Sequence, residues 1–442
     1  MLTELHTAAQ GRYLVATVPI AAGTVFLEEE CAMVLSDDVI RAKERCVGCA
    51  VRVADGPAVG APCRGCGGAL CSACGSAPHE CAVVGDVMQS APGSTETMLA
   101  RLLARARSLG LTATDYWRQL VTHEDDIADD DDLADLVFGY TPGVAERALD
   151  ATRHRTSKEG TQADAAKLFC NAFAACVSPP RGAIGDDVRC AKKRGGLCAD
   201  VGAAISPNVA RLNHACDANA YSRVILASEA GGRARVEVRA LADVAVGQEL
   251  CISYIDVFAT GGVAARRDAL HKAFFFECNC TFCAADELCQ ENVEAAAKKR
   301  RTRGPDGGGD AARGAAVVER LVEACDVARA AARLPRALRH ARDAVSAADR
   351  HLGAQSPAAL APFVRLAWLG DSAAERAAAA KRAMEIVAGT ARDRVTRLVW
   401  LPVLQLLLAQ ETGNDAMADA ARAVLAVSTG AIAAEAESPR PS

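Results

Sequence analysis

The sequence predicts an α+β protein of several domains: a strand-rich region interrupted by a cysteine-rich finger and a helical insert, then an all-helical C-terminal domain. Three observations carry that expectation. Between Ser222 and Arg239, β-branched Val224, Ile225, Val236 and Val238 flank Gly231-Gly232, the pattern of a hairpin. Cysteines gather in Cys-x-x-Cys pairs between Cys46 and Cys81. From Ala311 to about Ala436 the pattern is helical, with breaks near Leu334-Pro335, Gly353 to Pro357, Gly370-Asp371, Gly389 and Gly413-Asn414.

At 442 residues the chain is long enough for two or three domains, each with its own core. A hydrophobic content of 51% and a net charge of −5 describe a soluble globular protein, neither disordered nor coating nucleic acid. The apolar run Val399 to Ala409 is too short to span a bilayer and contains Pro402 and Gln405, so no membrane association is expected. The N-terminus lacks a basic stretch followed by an apolar block, so no secretory signal is expected. Without export, the 19 cysteines should stay reduced, and their pairing then argues for zinc rather than disulfides.

Taken in order, Gly11 to Ala16 and Val25 to Glu30 read as two short strands around a Pro19-to-Gly23 turn. Next come Cys46, Cys49, Cys63, Cys66, Cys71, Cys74, His79 and Cys81, the ligand count for two closed tetrahedral zinc sites. A finger so poor in large apolar residues depends on metal to fold. Met98, Leu99, Leu102 and Leu103 fall at helical spacing, and Asp164 to Phe173 is similar. The run Glu124 to Asp132 lacks the alternation of a calcium loop and reads as a solvated acidic face, with attraction of a basic peptide the alternative. Asn171 suits either a ligand contact or a capping role. Pro179 to Gly196 reads as an exposed loop.

The loop Asn213-His214-Ala215-Cys216-Asp217-Ala218-Asn219 offers an amide, an imidazole and a thiol together, which suits a polar ligand site or a metal, and equally a turn that reverses the chain. Gly247-Gln248-Glu249-Leu250-Cys251-Ile252-Ser253-Tyr254-Ile255-Asp256 follows the hairpin. Cys278, Cys280 and Cys283 supply three thiolates, one short of a tetrahedral site. Lys298 to Arg303 and the glycines after it form a basic linker: solvated, a nuclear-import address, or a nucleic-acid contact. In the helical domain, Ala341-Arg342-Asp343-Ala344-Val345 resembles Ala380-Lys381-Arg382-Ala383-Met384, a hint of a tetratricopeptide-like stack.

Together the Asn213–Asn219 loop and the Gly247–Asp256 segment resemble the paired signatures of SET-domain protein lysine methyltransferases. The order of the finger, insert and cysteine segments around them is similar to the SET- and MYND-domain family, over most of residues 11–290. The resemblance implies a SET domain beginning at 1–45, a MYND-like finger at 46–81, a helical insert at 82–195, the core SET domain at 196–258 and a post-SET zinc segment at 259–290. It further implies a linker at 291–311, a helical domain at 312–436 and a disordered tail at 437–442. The implied activity is S-adenosylmethionine-dependent methylation of a lysine in a histone or another protein, in the cytoplasm and nucleus, by a monomer. A catalytically silent scaffold is the alternative. Peptide partners of the finger are implied, and nucleic acid is not expected.

On the same resemblance, Gly11, Arg12, Tyr13, Asn171, Asn213, His214, Tyr254 and Phe276 would hold the methyl donor. Tyr254 would be catalytic and Phe274 would line the lysine channel. Three structural zincs are implied: one on Cys46, Cys49, Cys71 and Cys74, one on Cys63, Cys66, His79 and Cys81, and one on Cys216, Cys278, Cys280 and Cys283. Ala215 and Ala218 replace the family's usual Ser and Pro, the Cys71–Cys74 spacing is shorter and the His79-Glu80-Cys81 end is compressed. Two further positions, which frame the site, depart from the family pattern. Tyr13 stands where a glycine is usual, and Phe274 lacks the usual hydroxyl, which predicts higher methylation states.

Overall fold

Strand β1 (Leu2–Thr7) and strand β2 (Gly11–Ala16) form an antiparallel hairpin in which Glu4 faces Leu14 and Leu5 faces Tyr13. The structure is a computed structural model describing residues 2–7, 11–36, 39–40, 43, 45–48, 50, 62–63, 67–72, 74, 95–140, 158–176, 200–225, 234–255, 257, 262–287, 314–322, 324–325, 334–352, 356–390 and 393–429. Cys49, Cys66, His79, Cys81, the Gly231-Gly232 turn, Asp256, the 179–196 loop, the 291–311 linker and the 437–442 tail lie outside the described residues.

Leu14, Val15 and Ala16 are all buried, because the far edge of β2 is covered as well as its face. There the Leu250 N–H donates to Leu14 O at 2.8 Å and the Ala16 N–H to Gln248 O at 3.1 Å. The two strands expected between residues 11 and 30 are both present, but in different sheets. β3 (Val25–Glu30) instead joins β9 (Arg235–Ala240) and β8 (Ala220–Ile225) in the order β3-β9-β8. The intervening turn is pinned elsewhere, Ile20 and Val244 exchanging backbone hydrogen bonds of 3.0 and 2.8 Å. In the hairpin β8–β9, Val224 lies opposite Val236, and both are buried with Val238.

A third sheet has the order β4-β6-β5, from Ala32–Leu35, Asp200–Ile205 and Phe173–Cys176. Strand β5 falls inside the span expected to be a helical insert. Its short apolar run carries too little period to separate strand from helix, and the partner edge of β6 decides. Helix α1 (Thr95–Ser108) covers this sheet, packing Leu99, Leu102, Leu103 and Ala106 against Ala32, Val34, Ala203 and Ile205. Helix α2 (Lys158–Asn171) leans on α1. Between them, Asp164 accepts from Arg107 Nη2 at 2.9 Å and from Trp117 Nε1 at 2.7 Å. The acidic run 124–132 is exposed apart from buried Ile127, as a solvated face should be.

After α3 (Val263–Phe274), the C-terminal region is a succession of helices: α4 (Leu334–His351), α5 (Leu360–Leu369), α6 (Ala373–Thr390), α7 (Leu401–Thr412) and α8 (Asp415–Thr429). Each packs on the next. Helix α7 buries Val403, Leu404, Leu406, Leu407, Leu408 and Ala409, so the apolar run near residue 400 is a helix enclosed by its neighbours. Among the described residues, no helix is long and apolar enough to cross a membrane. Ala341 and Ala344 of α4 and Ala380 and Ala383 of α6 are all buried, so the small residues that make the two segments alike let neighbouring helices approach. Helix α8 borders β8 and β9, and the backbone N–H of Arg394 donates to Asp217 Oδ1 at 3.0 Å, tying the bundle to the Asn213–Asn219 loop.

Candidate active site and thiol clusters

The Asn213–Asn219 loop and the Gly247–Asp256 segment meet as strands. β7 (Asn213–His214) pairs in parallel with β10 (Cys251–Ile252), Asn213 opposite Cys251 and His214 opposite Ile252. Such short strands need side chains to hold them. Buried Asn219 supplies one clasp, donating from Nδ2 to Glu249 O at 2.8 Å and accepting the Cys251 N–H at 2.9 Å. Asn213 supplies another, its Nδ2 donating to Glu249 Oε1 at 3.0 Å.

Tyr254 then folds back over this pair. Its backbone N–H donates to His214 Nδ1 at 3.0 Å, and its hydroxyl donates to the carbonyl of buried Leu212 at 2.6 Å. Burial pushes the Tyr254 phenol above its ordinary range, with Cys251 and Glu249 adding to the effect, so the hydroxyl keeps its proton. Burial lowers His214 to about 4, so the ring is neutral. With Nδ1 accepting, its proton is on Nε2, which faces Cys216 Sγ at 3.4 Å. One imidazole thus links the candidate catalytic tyrosine to a thiol cluster.

Three consecutive phenylalanines divide between two neighbourhoods. The Phe274 ring centroid lies 4.8 Å from that of Tyr254, and Phe276 lies 6.3 Å from Tyr254 and 6.1 Å from His214. Phe275, between them, takes a left-handed φ of 58° and points to the helical insert, 5.2 Å from His123 and 6.3 Å from Phe169. A bulky residue in that region is strained, and its packing against the insert holds it there. The reversal at Phe275 sends the chain directly into the cysteine segment.

Cys216, Cys278, Cys280 and Cys283 place their sulfurs within 4.8 Å of one another. Tetrahedral zinc with bonds of about 2.3 Å sets its sulfurs about 3.8 Å apart. Cys216 lies 4.0 Å from Cys278 and 3.5 Å from Cys283, so the four fit the ion. Hydrogen bonds among the four thiols divide them, lowering Cys280 and Cys283 and raising Cys216 and Cys278, so before an ion binds Cys280 and Cys283 give up their protons first. The buried guanidinium of Arg266 also donates to Cys283 Sγ at 3.5 Å, favouring thiolate. Cys46, Cys71 and Cys74 form a second cluster within 4.8 Å. A Cβ on Gly48 would meet Cys74 Cβ at 2.9 Å and Sγ at 3.1 Å, so this knuckle closes only around glycine. Of the other finger ligands expected, only Cys63 is described; it is buried in the same core as Cys46 and Cys71.

The remaining residues expected to hold the donor lie on other elements. Gly11 has φ 64°, a conformation that favours glycine, while Tyr13 is a half-buried strand residue. Strand β2 reaches the site through Leu14 and Leu250, and it borders the turn before Asn213. Asn171 ends α2 with both amide hydrogens engaged, donating to Val121 O and Lys167 O at 2.8 Å each. Sequence reasoning missed the Leu212 carbonyl, the Asn219 clasp, Glu249 and Phe275. Asn219 carried a signal, being a polar residue flanked by alanines just before strand β8; the others act through backbone or through partners distant in sequence.

The class follows from comparison with known families. The model of the SET domain matches residues 11–255, more than half of the chain, and the chain belongs to the SET-domain family. Within that family it is similar to human "Histone-lysine N-methyltransferase SMYD3", 27% identical over 155 residues, which is 35% of this chain and 30% of that protein. It is also similar to "N-lysine methyltransferase SMYD2-B" of Danio rerio, 34% identical over 101 residues, 23% of this chain and 21% of that protein. Human "N-lysine methyltransferase SMYD2" is 34% identical over 94 residues, 21% of this chain and 20% of that protein. The matched segments thus span between a fifth and a third of these relatives.

Proposed function

We propose that this chain is an S-adenosylmethionine-dependent protein-lysine N-methyltransferase acting on a histone or another protein. The observation that carries the reading is the convergence of His214, Phe274 and Phe276 on Tyr254, whose hydroxyl is held by Leu212 O. The names of the SET-domain relatives support the same chemistry.

S-adenosylmethionine, when bound, supplies a methyl group on a sulfonium. What remains for the chain is to deliver a neutral amine in line with it. A lysine ammonium has a pKa of about 10.4 and must lose a proton before it can attack. Walls of Phe274 and Phe276 disfavour the charged form by excluding water. Tyr254 keeps its proton and spends it on Leu212 O. Its oxygen lone pairs are left to accept an N–H from the amine, which turns the nitrogen lone pair toward the methyl. Tyr254 is therefore an orienting group and no base. Most of the rate gain is alignment.

Asn213 and His214, with Gly11, Arg12, Tyr13 and Phe276, are the residues proposed to hold the donor. Asn171 would join them through its amide oxygen, since both its hydrogens are engaged. Zinc on Cys216, Cys278, Cys280 and Cys283 would clamp the Phe274–Phe276 segment to the Asn213–Cys216 loop. Two further zincs are proposed in the finger, whose surface would contact peptides, and cytoplasm and nucleus are the proposed locations. The helical region after residue 312 is proposed to flank the substrate cleft as a tetratricopeptide-like unit.

Isothermal calorimetry with S-adenosylmethionine, followed by labelled-methyl transfer to histones and cell lysate, tests the reading. Binding is expected, with transfer that Tyr254→Phe lowers sharply but measurably while binding persists. Absence of binding would favour a silent scaffold, the alternative that Tyr13 at a glycine position supports.

A further inference from the structure

One carboxylate outside the expected site reaches into it by way of a single turn. Glu29 lies on β3, opposite Val236 of β9, and is half-buried. Its Oε1 accepts the hydroxyl of buried Ser206, the Asn208 N–H at 2.7 Å and, at 3.4 Å, the Val209 N–H; its Oε2 accepts Asn208 Nδ2 at 2.8 Å. The donors are the first residue of the helical turn Val209–Arg211 and two residues just ahead of it, Asn208 and Ser206, so Glu29 caps a turn contributed by a distant part of the chain. Asn208 divides its amide: Nδ2 goes to Glu29, and Oδ1 accepts Arg211 Nη1 at 2.9 Å. Arg211 in turn donates to Glu4 of β1, from Nε at 2.6 Å and from Nη2, and its guanidinium lies 4.9 Å from the Tyr116 ring centre.

That turn ends at Leu212, whose N–H closes it on Val209 O at 3.0 Å and whose carbonyl receives the Tyr254 hydroxyl at 2.6 Å. Asn213 and His214 follow directly. With a buried residue at each end of the turn (Ser206 and Leu212), a displacement at the cap has little room to dissipate before it reaches Leu212 O. We propose that Glu29 is a positioning residue for the transfer step, fixing through the 206–212 turn the carbonyl that orients the Tyr254 hydroxyl. This deepens the methyltransferase reading and rests on it. A merely structural role would have Glu29 join β3 to the turn with no consequence particular to Tyr254.

The hydrogen-bond polarity gives a clean test. Glu29→Gln can keep the acceptor for Ser206 and the Asn208 backbone, but sets a new N–H pair against Asn208 Nδ2, donor against donor. Asn208→Asp alone sets two carboxylates together. The pair E29Q/N208D restores complementarity, because the new carboxylate accepts from the new amide and still accepts from Arg211. Each single variant is expected to lower kcat between about tenfold and about a hundredfold, with a smaller change in the KM of the methyl donor, and the pair to recover most of it. In a Tyr254→Phe background, E29Q should cost nothing further in kcat.

A second readout needs no turnover. In protein labelled with 3-fluorotyrosine, the chain has five tyrosines, and the Tyr254 fluorine resonance is assigned by its loss in Y254F. E29Q should move that resonance and E29Q/N208D return it. An unmoved Tyr254 resonance, or an equal kcat loss with and without the Tyr254 hydroxyl, overturns the proposal. Should a single variant fail to fold, recovery of both folding and the wild-type Tyr254 resonance by the pair supports it, and failure of the pair overturns it. If the wild type binds no S-adenosylmethionine, the methyltransferase reading fails, and the resonance still decides whether Glu29 governs Tyr254.

Discussion

Cys216→Ser removes the one sulfur of its cluster that comes from outside the 278–283 segment. The observed separations of 3.5 and 4.0 Å from Cys283 and Cys278 straddle the sulfur spacing of tetrahedral zinc, so Cys216 should be a full ligand. Structural zinc is worth about 10–16 kcal/mol in small zinc domains. Shared over four thiolates, that is about 3–4 kcal/mol per ligand, or about two to three powers of ten in affinity at about 1.4 kcal/mol per tenfold. Serine is a far poorer zinc ligand at neutral pH, so most of this should be lost. The assay is a chelator titration with a zinc-sensitive dye, beside the zinc content of the purified protein. The variant should release one equivalent at a chelator concentration two to three decades below the wild type, by the same estimate of about 3–4 kcal/mol. Cys251→Ser is the control, because that half-buried thiol, pushed up to about 12 by burial, belongs to neither cluster. S-adenosylmethionine affinity should fall together with the zinc, since Phe276 would no longer be held near His214. A variant with wild-type zinc content and an unchanged chelator midpoint would refute the assignment.

Other perturbations probe other parts of the molecule. Phe274→Tyr adds a hydroxyl beside Tyr254, at a ring separation of 4.8 Å, and should shift the products from di- and trimethyl-lysine toward monomethyl, read by peptide mass spectrometry. A wild type that makes only monomethyl product would sink that expectation. Asp164→Asn weakens the partner of a guanidinium only 4% exposed and should destabilise the α1–α2 pairing by about 3 kcal/mol, visible as faster amide exchange in both helices. Unaltered exchange would contradict it. For pH, His214 falls from an ordinary 6.5 to about 4 on folding, so the unfolded chain binds the extra proton. Stability from this group is whole above pH 6.5 and declines as pH drops toward 4, by about 3 kcal/mol in total. Denaturation midpoints of His214→Gln should show less of that decline than the wild type, and an equal decline would assign it elsewhere.

Strands β2, β3, β8 and β9 were legible because their signals are local. The β8–β9 hairpin shows in alternating β-branched residues on either side of a glycine pair, and the helical bundle shows in breaks at glycine and proline. Strand β1 and strand β5 were not legible. Each is a short run that becomes a strand only because a partner edge, β2 or β6, is there to receive its hydrogen bonds. Tyr13 shows the same limit at the site: its departure is visible in sequence, but its place opposite Leu5 in a hairpin is not.

What the sequence by itself determined is chemistry and spacing: thiols in ligand number, an amide and imidazole in one loop, a tyrosine at the end of another. Those follow from residue identity and from periods of two to four residues. Only the tertiary structure decided which of these groups meet. It set Cys216 beside Cys283 across 67 positions of chain, gave the Tyr254 proton to a backbone carbonyl 42 positions away, and brought Glu29 to a turn 179 positions later. The reason is physical. Buried polar atoms must find partners, and which partner lies within 3 Å depends on how sheets and helices close over the whole chain.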